Sequence, residues 1–387
     1  MLRKAIFTTI MLMVCAHGSS SNSGVPYAAQ TKAHEPSSSA VAVSDFARSI
    51  ELLSETGGYF DTDNLISNEA SYLHVLGKMR EMRITGGAYI GVGPDQNYSY
   101  IAQIRPKVAY LVDIRRDNLL QHLFFKSLFA LSGRRIDYLC LLLGKPIPKD
   151  AAKWGASNNV QELIEYIERT PINEKIFEIS HASIRAKALS FRIPLSATDL
   201  AKIRSIHAEF FNAGLDLRFT TLRRAARSYY PSYRDLILEK DLSGRLGNYL
   251  AREDDFQFLK SLHGQNLIIP VVGDLAGEHA LQEVARVLTN RGERISAFYV
   301  SNVEYYLMAN GKLERFIKNL KQLPHDDRSL IIRSYFGGVY GAKHPQAVDG
   351  YYSSQLLQTI NSMLEEHQKG GLESYYDLVT KHSISLR

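Results

Sequence analysis

Glycines and a carboxylate follow two short apolar runs at a spacing that suits a bound nucleoside. Gly91 and Gly93 end the first run, and Asp113 ends the second about 20 residues later. Glycines let a ligand approach the backbone, and the next helix N-terminus favours an anionic group. A carboxylate at the end of the second strand can accept hydrogen bonds from both hydroxyls of a ribose. A tight turn without ligand is the alternative for the glycines, and an N-cap is the alternative for Asp113.

The glycine pattern is incomplete as a dinucleotide fingerprint. Gln96 stands where G-x-G-x-x-G needs its third glycine, so NAD-dependent oxidoreduction ranks third among the hypotheses. Asp95 lies in the same turn. Arg115 follows Asp113 and could bind an anionic group or pair with neighbouring acids.

Polar residues also follow later apolar runs. Asp274 comes after 266–272, where its side chain could reach an adenine amino group; a turn-forming Asp after Gly273 is the alternative. The run at 295–300 precedes side chains that could bind a ligand or orient and deprotonate a substrate: Ser301, Asn302, Glu304 and Tyr305.

The apolar runs alternate with helical periodicity, which predicts the elements that position these residues. Near-continuous apolar strands joined by helices are typical of a parallel sheet covered on both faces. We therefore predict an α/β fold with a doubly wound, mainly parallel, Rossmann-like sheet whose ligands bind outside the carboxyl ends of the strands. A long helical insertion after strand two, about 119–260, should cover those ends as a cap. The predicted strands are 88–93, 108–112, 266–272, 295–300 and 329–333.

The first residues have the pattern of a secretory signal. Arg3 and Lys4 precede an apolar stretch too short for a membrane span, and Ala16 to Gly18 offers a cleavage site. We predict a signal peptide over 1–18, a disordered Ser-rich linker over 19–44, and the folded domain over 45–387. Export to the periplasm or the exterior follows, with a membrane anchor as the alternative and no further transmembrane domain.

Composition limits the classes of ligand and partner that we expect. The net charge is +6 and long basic runs are absent, so a small-molecule ligand is expected and nucleic acid is not. Asp61 to Asn64 resembles a calcium loop, but Ile66 and Tyr72 occupy positions that need glycine and glutamate, so no metal site is predicted. Beyond the signal segment the chain has one cysteine, Cys140, within an apolar run, which indicates a buried inert thiol.

Several longer runs carry a family resemblance. The stretch from about Phe60 to Gly338 is similar to a bacterial family of largely uncharacterised proteins that resemble class I S-adenosylmethionine-dependent methyltransferases. The similar runs are GGYFDTDNLISNE, GGAYIGVGPDQNYSYIAQIRP, VDIRRDN, VVGDLAG and FYVSNVEYYL. In class I methyltransferases the glycine loop holds the methionine part of the cofactor, the acidic end of strand two holds the ribose, and an Asp after strand three contacts adenine.

Two functions follow from this resemblance as expectations. The first is transfer of a methyl group from S-adenosylmethionine to an unknown acceptor, with Asn302, Glu304 and Tyr305 as catalytic residues. The second is an exported, non-catalytic Rossmann-like protein that binds a nucleotide-like or anionic small ligand. The cofactor-binding residues implied for the first are Gly91, Gly93, Asp95, Asp113, Arg115, Asp274 and Ser301.

Overall fold

A single sheet organises the part of the chain that the computed structural model describes, which is residues 43–150, 154, 159–221 and 224–387. The predicted signal segment and residues 19–42 of the predicted linker lie outside these ranges. The strands are β1 (Ala88–Gly91), β2 (Val108–Asp113), β3 (Ile268–Val272), β4 (Ile295–Ser301), β5 (Leu330–Tyr335) and β6 (Ser354–Thr359).

The strand order is β3-β2-β1-β4-β5-β6. The first five strands are parallel, and β6 runs antiparallel to β5. The prediction of an α/β fold with a mostly parallel, Rossmann-like sheet is confirmed at this level. The chain leaves β1 toward β2 on one side and later returns to β4 on the other, so the switch point where such sheets bind ligands lies between β1 and β4.

Burial on both faces explains why these strands read as continuous apolar runs. Every residue of β1 and β3 is buried. Pro270 lies inside β3, and this is compatible with the ladder because β3 is an edge strand that pairs only with β2.

The sixth strand was not predicted, and its polar residues explain why. Gln355 and Gln358 are buried yet satisfied by neighbours on β5: Ser334 Oγ donates to Gln355 Oε1 at 2.8 Å, and Arg333 Nη1 donates to Gln358 Oε1 at 2.6 Å. Cross-strand hydrogen bonds thus bury a sequence that hydropathy alone does not mark as a strand.

Helices cover both faces of the sheet. No helix in the described ranges is long and apolar enough to cross a membrane. The helices are α1 (Val43–Leu53), α2 (Leu76–Glu81), α3 (Gln96–Ile104), α4 (Arg116–Leu131), α5 (Arg135–Leu142), α6 (Val160–Arg169), α7 (Glu174–Ser190), α8 (Ala197–Ala213), α9 (Tyr233–Leu238), α10 (Glu253–Gly264), α11 (Ala280–Asn290), α12 (Val303–Ala309), α13 (Leu313–Gln322), α14 (Gly337–Tyr340), α15 (Ile360–Gln368) and α16 (Tyr375–Thr380).

The chain between β2 and β3 holds the helices α4 to α10. Helix α4 packs against β2 and β3, while α7 and α8 pack against α4. Side-chain caps begin several helices of this region; Ser196 and Asp199 form a capping box at α8. After α8 the chain turns back toward the carboxyl end of β1, so residues of this region reach the predicted site.

Helix α1 and the segment after it run along the same edge. Helix α1 packs against β3 and α11. Residues 54–63, here called the strap, then cross the carboxyl ends of β3 and β2. The Glu55 amide donates to the Val272 carbonyl at 2.9 Å, and the Gly58 amide donates to the Ile114 carbonyl at 2.7 Å.

Candidate functional site at the carboxyl ends of the strands

The loop after β1 is built around its two glycines. A Cβ on Gly91 would lie 1.9 Å from Asn97 Oδ1, so only glycine leaves space for that side chain. Asn97 Nδ2 donates to the carbonyls of Val92 at 2.8 Å and Pro94 at 2.7 Å, which fixes the loop. Gly93 has φ +79°, a conformation that glycine adopts without strain. Gly91 therefore serves the packing of the loop and Gly93 its turn.

The carbonyl of Gly93 is held by a buried histidine. His122 Nε2 donates to it at 2.9 Å, and His122 Nδ1 accepts from the Tyr98 hydroxyl at 2.9 Å. This pairing needs a neutral imidazole, and burial lowers the pKa of His122 to about 4. The ring is therefore a neutral hydrogen-bonding support for the loop at neutral pH.

A buried carboxyl group, Glu69, lies at the switch point. Its Oε2 accepts from the Tyr299 hydroxyl at 2.6 Å, and its Oε1 accepts from the Ser301 hydroxyl. Gln96 Nε2 donates to the same Tyr299 oxygen at 3.2 Å. Burial raises the pKa of Glu69, and the hydrogen bonds from Ser301 and Tyr299 oppose that rise. Ser301, a predicted ligand-binding residue, here holds Glu69 and has φ +53°.

A second buried carboxyl group, Asp95, lies at the start of α3. Its Oδ2 accepts from the hydroxyl of Tyr249 at 3.0 Å and from that of Tyr233 at 3.3 Å. Burial raises the pKa of Asp95 to about 6, and the two tyrosine hydrogen bonds act against that rise. Both tyrosines come from the chain between β2 and β3, so this part of the chain contacts the end of β1.

The predicted ribose carboxylate, Asp113, is paired with its neighbour. Arg115 Nε donates to Asp113 Oδ1 at 3.0 Å, and Arg115 Nη2 donates to Asp113 Oδ2 at 2.9 Å. Arg115 Nη1 donates to the strap carbonyls of Thr62 and Asp63, both at 3.1 Å. The structure brings these two predicted residues together and uses them to fasten the strap over β2.

An open cavity of about 360 Å³ lies beside this fastening, at the ends of β2 and β3. Asp274 lines it; its amide donates to Glu55 Oε1 at 2.7 Å, and its Oδ2 accepts from Lys312 Nζ at 3.1 Å. The other lining residues are Glu55, Thr56, Gly58, Ile114, Gly277, Glu278 and Arg315. Several carboxylates therefore face solvent beside two exposed cations.

The three predicted catalytic residues differ in burial and in the contacts of their side chains. Glu304 is fully buried, and its two oxygens accept from Arg333 Nε at 2.7 Å and Arg333 Nη2 at 3.0 Å. Asn302 and Tyr305 are half-buried at the end of β4 and on α12. The Tyr305 ring lies 5.4 Å from those of Tyr306 and Tyr375, centre to centre.

Three buried polar atoms around the β1 and β2 ends lack a hydrogen-bond partner in the described structure: Asp63 Oδ1, Gln96 Oε1 and Asn118 Nδ2. Gln96 and Asn64 flank Gly93, and their amide nitrogens would lie 3.3 Å from a Cβ there. Arg115 binds the Asp63 carbonyl, which keeps Asp63 in this region. The backbone N–H of Asn118 donates to the Arg115 carbonyl at 3.2 Å. Buried polar atoms are nearly always paired in native proteins, so each of these three atoms has unmet hydrogen-bonding capacity near the β1 and β2 ends.

Sequence reasoning missed Glu69, Gln96 and Tyr299. The signal for Tyr299 was weak, since a tyrosine within an apolar strand is normally a core residue. Glu69 lies shortly after Asp61 to Asn64, a stretch that the sequence led us to consider as a calcium loop. Across the described residues, no group of three or more His, Cys, Asp and Glu side chains is arranged to hold a metal ion.

Comparison with known proteins identifies a family whose description assigns no function. No curated protein matches the sequence. One family model, described as a domain of unknown function (DUF7790), matches residues 65–154 and 199–383, which is more than half of the chain. The matched ranges include every strand of the sheet, most of the chain between β2 and β3, and Glu69, Asp95 and Asp113. The chain belongs to the DUF7790 family.

Proposed function

We propose that this protein binds S-adenosylmethionine at the carboxyl ends of β1, β2 and β3 and transfers its methyl group to an acceptor. The observation that carries this proposal is the set of unpaired buried atoms, Asp63 Oδ1, Gln96 Oε1 and Asn118 Nδ2. A ligand with hydroxyl and amino groups would supply the missing partners. The methyltransferase resemblance adds that the glycine loop, Asp113 and Asp274 belong to one such site.

The sheet order supports the same proposal. Strands β1, β2 and β3 are neighbours, so the glycine loop, Asp113 and Asp274 follow one another along a single edge. The open cavity beside Ile114 and Asp274 lies at the end of that row, where the resemblance expects the nucleoside. We propose further that α5 to α9 are an insertion into a class I methyltransferase fold, because α4 packs on β2 and β3 as a crossover helix does.

Methyl transfer needs little chemistry from the protein beyond positioning and exclusion of water. We assign contact with the acceptor to Asn302 and Tyr305, which are half-buried at the end of β4. Glu304 would act on them indirectly, because its buried pair with Arg333 joins α12 to β5.

Titration calorimetry with S-adenosylmethionine, S-adenosylhomocysteine and NAD tests the proposal. The two sulfur compounds should bind, and NAD should bind weakly or not at all because the dinucleotide fingerprint is incomplete. Gly93→Val should abolish binding, because its side chain would occupy the space of a ligand that lies against the Gly93 backbone. Since φ of Gly93 is +79°, the change is also strained, and the melting temperature of the ligand-free variant separates lost stability from lost affinity. Absence of binding by both sulfur compounds to folded wild-type protein would overturn the assignment.

Removing an unpaired atom gives a sharper test. Asn118→Leu should weaken S-adenosylmethionine binding by about 0.5–1.5 kcal/mol, whereas the ligand-free protein should be as stable as wild type or more stable. Tyr110→Phe is the matched control, since the Tyr110 hydroxyl is also buried and unpaired in the described structure but lies within β2. Equal loss of affinity in both variants would contradict the proposed position of the ligand.

A second candidate is a non-catalytic binding protein for a nucleotide-like or anionic ligand. Side chains of the protein already use both predicted contact points, which favours this candidate. Asn97 fills the space beside Gly91 in the loop after β1, and both oxygens of Asp113 accept from Arg115. A ligand would then contact the ends of β2 and β3 without touching the β1 loop. Adenosine binding as tightly as S-adenosylmethionine, with no effect of Gly93→Val on affinity, would support this candidate over methyl transfer.

Export is part of the second candidate and has its own test. We propose that the Arg3 and Lys4 start directs secretion, so the mature chain should begin shortly after Gly18. Mass spectrometry of the N-terminus in the native host measures this. An intact Met1 in soluble cytosolic protein would contradict export and favour the methyltransferase.

A further inference from the structure

Helix α7 carries an exposed apolar stripe along its length. Ile179 is 59% exposed and Leu189 is 41% exposed, and two exposed alanines, Ala182 and Ala186, lie between them. Ile172, just before the helix, is 52% exposed. Contiguous exposed apolar surface marks an interaction site in a soluble protein, whereas an apolar residue exposed singly does not.

The opposite side of α7 packs within the chain. Its buried residues include Phe177 and Ile184, and the helix packs against α4 and α8. The Phe177 ring lies 4.6 Å from that of His207 on α8, between ring centres. The start of the helix is also fixed, because the Asn173 amide donates to the Gly144 carbonyl at 3.1 Å. These contacts hold the helix with its apolar stripe directed outward.

The spacing of the stripe is that of a helix which packs against another helix. Positions 172, 175, 179, 182, 186 and 189 are separated by alternating steps of three and four residues, the a and d pattern of a coiled coil. Lys175 is the polar member, and its aliphatic stem can cover apolar surface while its ammonium group reaches water. The small residues Ala182 and Ala186 let the backbone of a second helix approach closely.

Helix α7 lies in a part of the chain that the family model does not match. The matched ranges stop at 154 and resume at 199, and α7 spans Glu174–Ser190 between them. The strands of the sheet and the residues of the proposed nucleoside site all lie outside α7. The stripe therefore belongs to a feature that this chain adds to the matched part of the fold.

The two halves of α7 differ in charge. Even with Lys175 counted, Glu174 and Glu178 give the N-terminal half a net negative charge, whereas Arg185 and Lys187 make the C-terminal half positive. A partner with one sign of charge would not be complementary to both halves. A second copy of the same helix, packed in the opposite direction, places each acidic half beside a basic half.

We propose that α7 is the contact surface of a symmetric dimer, in which it packs antiparallel against α7 of a second copy of the chain. A two-fold axis across the stripe brings Ile179 beside Ala182 of the second copy and Ile172 beside Leu189 of the second copy. The symmetry repeats each contact. In the middle of the seam a large side chain then meets a small one, which is the condition for interlocked helix packing.

The same register places Glu178 beside Arg185 of the second copy. Glu178 Oε2 already accepts from Arg204 Nη1 of its own chain at 3.0 Å, and both side chains are about half exposed. A carboxylate has acceptor sites for more than one guanidinium group, so the contact between copies does not require the pair with Arg204 to break. Each dimer would contain the contact between Glu178 and Arg185 twice.

Sedimentation equilibrium of the purified protein, from micromolar to submillimolar concentrations, tests the proposal. The wild type should associate to a dimer and no further, because a two-fold contact closes on itself. Ile179→Glu should be monomeric, since it would bury charges in the apolar seam. Leu52→Glu is the matched control: Leu52 is 52% exposed on α1, and its replacement should leave the dimer intact.

Charge reversal tests the register of the two helices. Glu178→Arg and Arg185→Glu should each raise the Kd of the dimer about tenfold, because each replaces attraction by repulsion at two places. The double variant restores opposite charges across the contact and should return the Kd close to that of the wild type.

Thermal unfolding of each variant establishes that it folds. A monomeric wild type, association beyond the dimer, or a folded Ile179→Glu protein that still dimerises would each overturn the proposal. Loss of the dimer in Leu52→Glu, or a double variant no better than the single ones, would overturn it as well. Binding of S-adenosylmethionine involves a different surface, so its outcome does not bear on the dimer.

Discussion

The ends of β1 and β4, here called the closed centre, are covered by buried side chains, whereas the ends of β2, β3 and β5 border open cavities. A ligand of the proposed site would therefore reach the β1 loop only by moving some of these side chains. At the closed centre, Glu69 and Asp95 are buried, and each accepts a hydrogen bond from at least one buried tyrosine. At the open ends, Asp274 and Lys343 make pairs that reach solvent. Polar residues after a strand thus have two uses, internal connection and ligand recognition, and burial separates them.

Charged pairs also differ in burial between the covered and the open strand ends. The Glu304–Arg333 pair is at most 1% exposed, whereas the Glu278–Arg315 pair is 85% and 53% exposed. Charges without water need their partner, while exposed charges are solvated with or without one. Equal substitutions in the two regions should therefore have very different effects on the free energy of unfolding.

The largest effect on the free energy of unfolding is expected at Glu304, which follows β4 on α12. Glu304→Ala should lower the free energy of unfolding by about 3–5 kcal/mol, because it leaves the Arg333 guanidinium buried without its charge partner. Urea unfolding measures the change. Glu283→Ala, which breaks a surface pair with Arg286, is the control and should cost less than about 1 kcal/mol. Near-equal values for the two variants would remove the distinction between buried and exposed pairs.

The second effect depends on pH and involves Asp95. Its folded pKa, about 6, lies above the unfolded value, so the folded protein binds more protons and this group's contribution to stability is lost as pH rises from about 4 to above 6. Asp95→Asn does not ionise. Its stability relative to wild type should therefore increase between pH 4 and pH 7, by up to about 3 kcal/mol.

Comparing variant with wild type at each pH is necessary here, because buried histidines titrate in the same window. Burial lowers the pKa of His122 and of His207 to about 4, and their neutral forms favour folding as pH rises. Asp216→Asn, at a side chain that is 83% exposed, is the control and should show a nearly constant difference. A constant difference for Asp95→Asn as well would mean that Asp95 is not held as a buried acid.

The third effect concerns the packing of the β1 loop. Gly91→Ala should cost about 1–3 kcal/mol, because its Cβ would overlap Asn97 Oδ1 and lie 2.8 Å from the Tyr89 hydroxyl. Gly77→Ala is the control: its Cβ meets only the end of Arg80, at 3.8 Å, and it should be neutral or stabilising by about 0.4–1 kcal/mol. Thermal and urea unfolding provide both values; a neutral Gly91→Ala would show that the loop can rearrange around a side chain.

The smallest effect is expected at the open ends of β2 and β3. Glu278→Gln should change the free energy of unfolding by less than about 0.5 kcal/mol, since this carboxylate is 85% exposed in its pair with Arg315. The same urea titration detects it. A loss of several kcal/mol there would mean that the open cavity contributes to stability as the closed centre does.

The sequence by itself determined the five parallel strands of the sheet. Near-continuous apolar runs with intervening helical periodicity predicted β1 to β5 close to their observed bounds, because strands buried on both faces must be apolar throughout. It also identified the polar strand ends, since the rule that ligands bind at the carboxyl edge needs only strand direction. β6 was not predicted, because its buried glutamines are paired with side chains on β5 and no local sequence pattern reveals such pairing.

Only the tertiary structure decided what each polar residue contacts. Glu304 meets Arg333, which lies 29 residues away in the chain, and Ser301 meets Glu69, which lies 232 residues away. Spacing along the chain can place a carboxylate at a strand end but cannot give its partner, because pairing depends on distant segments brought to the same edge. The physical reason is that a buried polar atom must be paired, and the partner is chosen by packing.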